Sequence, residues 1–232
     1  NGFLLYLKAF LKMFLRKVFF MIKEKRKFIY ISITLGLAFI LWTLLIKFVD
    51  VKAIGPNTSS IGFATLNRLF HNLTGVNLTL YTITDWLGLV PIFICFGFAI
   101  LGLIEWIKQK SILKVDLNLL LLGGFYFIVF AIYLLFEIFI INYRPILING
   151  YLEASYPSST TLLVMCVIPT AIMQFKVRIK NRVLRKCVIL ILSLFIAFMV
   201  ISRLISGVHW LSDIIGGALL SGSLVTMYYA LI

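Results

Sequence analysis

Six long apolar stretches constrain this chain more than any other feature of its sequence. Each holds about 20 residues, the length that an α-helix needs to cross the hydrocarbon core of a bilayer. They cover residues 28–49, 87–106, 118–141, 158–175, 187–205 and 211–231. Backbone polar groups find no water inside a bilayer, so continuously apolar stretches of this length cross it as helices. The sequence therefore predicts an all-α, polytopic membrane protein with six transmembrane helices.

The composition excludes the main alternatives. Hydrophobic residues make up 62% of the chain and charged residues only 13%, whereas soluble domains are about half apolar and a quarter charged. A soluble fold of this size could not bury so much apolar surface. The apolar stretches are continuous and do not alternate with polar residues, which argues against a transmembrane β-barrel.

The cations are distributed unevenly along the chain. Of the 22 Lys and Arg residues, 17 fall in three segments, 8–27, 108–114 and 176–186. With six spans, all three segments lie on one side of the membrane, and the positive-inside rule makes that side cytoplasmic. We therefore expect an integral plasma-membrane protein with both termini in the cytoplasm. The net charge of +14 then reflects topology and attraction to anionic membrane lipids, not nucleic-acid binding.

The N-terminal segment, 1–27, differs from the six spans because cations interrupt its apolar residues. Lys8, Lys12 and Arg16 are spaced four residues apart and form one helical stripe, opposite an apolar stripe. This pattern predicts a basic amphipathic helix that lies in the membrane interface.

The rest of the chain, 28–232, is expected to form one six-helix membrane domain. Its outer loop, 50–86, separates the first two spans and carries the Pro, Gly and polar residues typical of irregular structure. Within that loop, an apolar segment around 61–73 favours a short helix on the membrane surface.

Several ionisable residues near the predicted outer side stand apart from the cytoplasmic cations. They are Glu137, Arg144, Glu153, Arg203, His209 and Asp213. Ionisable side chains at the ends of membrane spans are costly and indicate a functional site. These residues fall at three span ends on the same membrane face, so we expect them to converge.

The most informative group runs from Ser202 and Arg203 to His209 and Asp213. His209 and Asp213 are four residues apart, which predicts that both lie on one face at the start of the sixth span. A carboxylate beside an imidazole fixes its tautomer, and an oriented neutral histidine serves as a nucleophile or general base. Arg203 can bind phosphate oxygens in a bidentate manner. The alternative interpretation is a structural hydrogen bond at the helix start.

A second group, Ser158, Ser159 and Thr160, follows Pro157 at the start of the fourth span. Backbone N–H groups and hydroxyls at a helix N-terminus form an anion site, although the same residues could serve only to cap the helix. Arg144 adds a cation at the outer end of the third span. It either binds phosphate or lies in the lipid interface with its head in water.

These residues resemble the phosphatidic acid phosphatase type 2 superfamily, which includes bacterial lipid phosphatases and vanadium haloperoxidases. The family's third motif, Ser-Arg-x5-His-x3-Asp, is complete in Ser202, Arg203, His209 and Asp213. Its first two motifs, Lys-x6-Arg-Pro and Pro-Ser-Gly-His, are matched in part. The resemblance covers about residues 85–232, and it too implies six membrane helices.

The resemblance implies a role for each matching residue. His209 would attack phosphorus and form a phosphohistidine, while Asp213 would orient it. The phosphate-binding residues would be Arg144, Arg203, Ser158 and Ser159, the last through its backbone. No metal or other cofactor is implied for hydrolysis, and the partner is a lipid phosphate or diphosphate in the outer leaflet.

Two positions depart from the family pattern. Glu137 stands where the family has lysine, and Thr160 stands where the second motif ends in histidine. That histidine protonates the leaving alkoxide in the family, and loss of a general acid typically costs about 10²–10⁴-fold in rate. A diphosphate leaving group needs less protonation, which favours a lipid diphosphate as substrate. Protonated Glu137 and His71 are candidate replacement acids, although Glu137 could instead pair with Arg144.

Three functions follow from these matches and departures. The first is a metal-independent lipid phosphatase or diphosphatase at the outer leaflet. The second is a catalytically impaired relative that binds or transports lipid phosphates. The third is a scaffold subunit of an envelope-synthesis complex. The retained His209 and Asp213 favour the first, whereas Thr160 and Glu137 favour the other two.

Overall fold

A computed structural model describes residues 25–232 together with Lys8, Leu11 and Lys12. The amphipathic helix predicted at 1–27 therefore lies almost entirely outside the described residues. The described elements, in chain order, are α1 (Arg26–Phe48), β1 (Lys52–Ala53), β2 (Ser60–Ile61), α2 (Ala64–Thr74), α3 (Leu78–Leu87), α4 (Leu89–Gln109), α5 (Leu117–Ile138), α6 (Ser159–Arg178), α7 (Arg182–Ile205) and α8 (Leu211–Leu231).

Six of these helices are long and apolar enough to cross a membrane, which confirms the predicted all-α fold with six spans. They are α1 and α4 to α8. The second span extends further than expected, because α3 meets α4 at Gly88 and the two form one apolar stretch over Leu78–Gln109. Residues 50–86 thus hold a small antiparallel hairpin and two helices, of which α2 overlaps the predicted short helix.

Helix α6 is the centre of the bundle. In its apolar window 56% of the residues are buried, against 11–39% in the other five spans. It packs against α4, α5, α7 and α8, and α1 packs against α8. There, Ser32 and Ser223 each donate a hydroxyl hydrogen bond to the other's carbonyl oxygen, at 2.7 and 2.8 Å. The remaining apolar faces are exposed, as expected where helices meet lipid.

The two ends of the bundle differ in chemistry. At one end Arg178 lies 2.9 Å from Asp116 and 3.8 Å from Glu105, which joins the α4–α5 connection to the end of α6. Lys25 donates to the carbonyl oxygen of Tyr229 at this same end. The C-terminal ends of α5 and α7 and the N-terminal ends of α6 and α8 lie at the opposite end, where α2 packs over the start of α8.

Residues of the α2 segment are joined tightly to the α7–α8 turn. Asn67 donates to the Ser212 hydroxyl at 3.0 Å and accepts from the Ser212 backbone N–H at 3.1 Å. The backbone N–H of Asn77 donates to the carbonyl oxygen of Ser206 at 2.9 Å. Gly207, with φ of +68°, turns so close to Gly75 that a Cβ atom would overlap the Gly75 carbonyl oxygen. A glycine is therefore required where the chain passes from α7 to His209.

Candidate active site

Most of the charged and hydroxyl residues singled out from the sequence are buried at the bundle end formed by the start of α6 and the start of α8, called here the site end. Arg203 lies in the last turn of α7, His209 in the α7–α8 turn and Asp213 in the first turn of α8. Arg144 lies in the loop after α5, and Ser158 precedes α6. Their residues expose between 0 and 8% of their surface. The expected convergence of three span ends is thus present in the fold.

A serine lies between the imidazole and the carboxylate. The Oγ of Ser155 is 3.0 Å from His209 Nδ1 and 2.5 Å from Asp213 Oδ2. His209 Nδ1 and Asp213 Oδ2 are themselves 4.0 Å apart, which is too long for a hydrogen bond. His209 precedes α8, so the two side chains do not share a helix face as predicted, and Ser155 lies between them.

The Asp213 carboxylate receives several further donors. The backbone N–H of Trp210 donates to Oδ2 at 2.9 Å, and the Asn142 amide and Ser212 hydroxyl approach Oδ1 at 3.4 Å. A buried carboxylate requires such partners, because its charge is otherwise costly away from water. Asp213 therefore fastens the α5–α6 loop to the start of α8.

The other ring nitrogen of His209 faces a cation. Its Nε2 lies 3.4 Å from Arg144 Nη1. Burial, together with the charges of Arg144 and Arg203, holds the pKa of His209 well below its usual range, although a hydrogen bond with the Ser155 backbone opposes the shift. The imidazole is thus neutral at physiological pH, the form in which it is a nucleophile.

The two arginines are held as a pair by acidic and aromatic neighbours. Arg203 donates to the Thr84 hydroxyl at 3.3 Å and lies 3.6 Å from Asp85. The centre of the Tyr81 ring lies 4.9 Å from the guanidinium carbon of Arg203 and 5.8 Å from that of Arg144. Stacking on an aromatic face orients guanidinium groups. Sequence reasoning missed all of these α3 residues.

Arg144 pairs with Glu153 and not with Glu137. Its Nε lies 3.1 Å from Glu153 Oε2, but without hydrogen-bond alignment, so this N–H has no partner among the described residues. The Nε of Arg203 is likewise unpartnered there. Glu137 forms no ion pair within the described part of the chain, so the pairing considered from the sequence is wrong. Buried guanidinium groups with free donors are suited to an anionic ligand.

Residues at the start of α6 cap the helix and also line a cavity. Ser158 is fully buried, and its Oγ accepts from the backbone N–H and the hydroxyl of Thr161 at 3.4 and 3.0 Å. This is the capping arrangement considered from the sequence. Ser159 and Thr160 instead line an apolar cavity of about 890 Å³ between α4, α5 and α6.

The cavity extends from the site end of the bundle towards the other end. On α5 its lining runs from Tyr133 to Leu119, about 21 Å at 1.5 Å per residue. That is more than half of the roughly 30 Å thickness of a bilayer's hydrocarbon core. Two glycines on α5, Gly123 and Gly124, keep its wall open.

The two candidate replacement acids lie at the edges of the site. Glu137 lines a small pocket with Ser155 and Ser159 at the end of α5. His71 packs on Trp210, with 5.5 Å between ring centres, and its Nε2 is buried without a partner among the described residues. Within residues 25–232, no three His, Cys, Asp or Glu side chains cluster as a metal site.

These features define an integral membrane protein. It has a buried polar site at one end of its bundle, formed by a histidine, a carboxylate and two arginines. The sequence profile of the PAP2 superfamily matches residues 92–232, more than half of the chain. The chain therefore belongs to the PAP2 superfamily, as its motifs indicated.

The fold has a counterpart among solved structures. The chain is similar to the crystal structure of the first transmembrane PAP2 type phosphatidylglycerolphosphate phosphatase from Bacillus subtilis. The two share 18% sequence identity with a TM-score of 0.60, over 86% of this chain and 94% of the other. At this identity the likeness concerns the fold alone. A search of curated proteins finds no match.

Proposed function

We propose that the protein is a lipid phosphatase or diphosphatase that acts at the outer leaflet through a phosphohistidine. The observation that carries this proposal is the contact of His209 Nε2 with Arg144 Nη1 at 3.4 Å. A neutral ring nitrogen beside a cation is suited to attack on phosphorus while the cation binds the phosphoryl oxygens. Membership of the PAP2 superfamily supports the same activity.

The reaction has two displacements. The Nε2 lone pair of His209 forms a bond to phosphorus as the bond between phosphorus and the bridging oxygen breaks, and that oxygen leaves with the electron pair. Water then attacks the phosphorus and releases a proton to solvent, the P–N bond breaks and its electron pair returns to Nε2. Arg144 and Arg203 stabilise the phosphoryl oxygens in both steps, and Asp213 stabilises the positively charged ring.

The cavity is proposed to hold the apolar tail of the substrate. It is lined almost entirely by apolar residues and ends at Ser159 and Thr160, beside the buried polar site. A lipid with its chain in this cavity would present its headgroup to His209. Thr160 cannot protonate a leaving alkoxide, so a diphosphate lipid, whose leaving group is a phosphate, is the preferred substrate in this proposal.

An outer-leaflet site is the orientation that the charges favour. The cation-rich connections 108–114 and 176–186 lie at the bundle end opposite His209. By the positive-inside rule that end is cytoplasmic, which puts both termini inside and the site outside.

Phosphate release from a panel of lipid phosphates and diphosphates tests this function. Wild type is compared in nanodiscs with His209→Ala and with His71→Gln, which removes the other histidine. We expect release by wild type and by His71→Gln, no release by His209→Ala, and faster turnover of the diphosphate. Faster turnover of the monophosphate would contradict the diphosphate preference. Loss of activity in His71→Gln would instead identify His71 as the replacement acid.

The second candidate is a protein that binds or transports lipid phosphates without hydrolysing them. Thr160 favours it, and so do the ion pairs of Arg144 with Glu153 and of Arg203 with Asp85, since a ligand must compete with them. Binding of a lipid phosphate by wild type without any release of phosphate would support this candidate. If the protein neither binds a lipid phosphate nor releases phosphate, the scaffold role remains.

A further inference from the structure

We propose that Ser155 is a positioning residue that couples Asp213 to His209 and sets the tautomer of the imidazole. The catalytic part of this inference rests on the proposed phosphatase function, whereas the tautomer is a property of the resting protein. Ser155 belongs to no motif recognised in the sequence. It enters from the α5–α6 loop, and its residue is only 2% exposed.

The distances exclude a direct contact between imidazole and carboxylate. His209 Nδ1 lies 4.0 Å from the nearest Asp213 oxygen, while Ser155 Oγ lies 3.0 Å from the ring nitrogen and 2.5 Å from the carboxylate. The last of these is at the short end for a hydrogen bond between a hydroxyl and an ionised oxygen. Ser155 is therefore the physical link between the two groups.

The direction of the two hydrogen bonds follows from the carboxylate. Asp213 receives the Trp210 backbone N–H as well as the Asn142 and Ser212 donors, an arrangement that suits the ionised form. An ionised carboxylate only accepts, so Ser155 donates its single hydroxyl proton to Asp213. The Ser155 oxygen is then free to accept, and the neutral ring must donate to it from Nδ1. This assigns the proton to Nδ1 and the lone pair to Nε2.

That tautomer is the one the reaction needs. Nε2 faces Arg144 at 3.4 Å, where the phosphate would lie. When Nε2 bonds to phosphorus, the ring becomes positively charged and the proton stays on Nδ1. The Ser155 hydroxyl then links the positively charged ring to the Asp213 carboxylate through two hydrogen bonds, and no proton is transferred along them. When water releases the phosphate, the same neutral tautomer is restored.

Histidine ¹⁵N NMR on the protein in detergent tests the tautomer directly. The chain has two histidines, so a His71→Gln background leaves His209 as the single signal. We expect one tautomer protonated on Nδ1, which Ser155→Ala converts to a mixture or to the Nε2-protonated form. Protonation on Nε2 in the unsubstituted Ser155 protein, or an unchanged tautomer in Ser155→Ala, would overturn the proposal. These readings do not require turnover, so they remain informative if no lipid phosphate is hydrolysed.

Kinetics test the coupling. Ser155→Ala is expected to lower kcat by about 10–100-fold, as loss of an orienting partner does, with KM nearly unchanged. Ser155→Thr, which keeps the hydroxyl, should recover part of that loss. Ser221→Ala removes another fully buried hydroxyl, one that donates to Gly217 within α8, and should leave kcat unchanged. A loss shared equally by Ser155→Ala and Ser221→Ala would point to a general loss of packing and overturn the proposal.

A double variant distinguishes Ser155 acting through Asp213 from Ser155 acting alone. If the serine transmits the effect of the carboxylate, Ser155→Ala adds little to Asp213→Asn. If the double variant loses as much kcat as the product of the two single losses, the two residues act independently, which would contradict the coupling. Absence of phosphate release in wild type would sink the proposed function and leave the tautomer measurement to decide the role of Ser155.

Discussion

His209 combines burial with the proximity of two cations. Both effects disfavour the imidazolium form, and they lower the pKa of His209 below its ordinary value of about 6.5. As pH falls through 6.5, an ordinary histidine would become protonated and lose its nucleophilic lone pair. His209 instead keeps that lone pair, so the acid limb of kcat/KM is expected below pH 6.5.

Replacing Arg144 should reverse part of this shift. Arg144→Gln removes a positive charge that opposes protonation, so the pKa of His209 rises and the acid limb moves to higher pH. An ¹⁵N NMR titration of His209 in a His71→Gln background measures the midpoint. Arg178→Gln, at the other bundle end, is the control and should leave the midpoint unchanged. A midpoint that falls in Arg144→Gln would contradict this account.

Thr160 is the residue at which the chemistry can be retuned. It lines the cavity in the first turn of α6. Thr160→His introduces a general acid beside the leaving oxygen and should raise monophosphate turnover by about 10-fold or more. Diphosphate turnover should change much less. Thr160→Gln adds a similar volume without an acid, and equal gains in both variants would show that acid catalysis is not the cause.

The site residues that could be predicted from the sequence lie close together in the chain, whereas the others do not. Arg203, His209 and Asp213 recur at fixed spacing within one short segment, so a motif reveals them. Ser155 and Asp85 act on partners far away in the chain, and no spacing connects them. Asp85 has the sequence context of a solvated loop charge, and its side chain is more than half exposed, yet it lies 3.6 Å from Arg203.

At the scale of elements, the α7–α8 turn depends on one glycine. Gly207→Ala should cost about 1–3 kcal/mol in backbone strain alone, and its methyl group would also overlap the Gly75 carbonyl oxygen. We expect the Tm in detergent to fall by several degrees and phosphate release to fall with it. Gly97→Ala in α4 is the control, because a Cβ atom there meets nothing within 4 Å. Equal Tm values for both variants would refute this role for Gly207.

Helix α3 shows why the second span was predicted too short. Its 10 residues include Thr82, Thr84 and Asp85, so its apolar character is weaker than that of α4. A segment of this length cannot cross a bilayer by itself. Only its continuity with α4 and the contacts of Thr84 and Asp85 with Arg203 reveal its position. These are tertiary features that periodicity does not encode.

At the scale of the whole molecule, the cavity between α4, α5 and α6 should select substrates by chain length. Gly124→Phe fills part of it, because a Cβ atom at Gly124 meets nothing within 4 Å and the glycine lines the wall. Long-chain substrates should show a raised KM, while short-chain substrates should be unaffected. Gly97→Phe, outside the cavity lining, is the matched control. Equal effects on long and short chains would exclude the cavity as the tail site.

The orientation of the bundle can be measured with an impermeant thiol reagent on intact cells. Tyr151, in the α5–α6 loop, is 74% exposed at the site end, and Lys180 is exposed at the other end. In a background without the three native cysteines, Tyr151→Cys should react and Lys180→Cys should react only after the cells are lysed. The opposite pattern would put the site in the cytoplasm.

The packing of α1 against α8 has a consequence for biosynthesis. If helices enter the membrane in chain order, Ser32 is inserted before its hydrogen-bond partner Ser223 has been synthesised. Arg144 is likewise synthesised before His209, which lies between α7 and α8. A nascent chain that has not yet reached α8 therefore lacks Asp213 and cannot assemble the candidate site. If the proposed function holds, phosphate release is expected only after α8 has packed against α1 and α6, so it would report complete insertion.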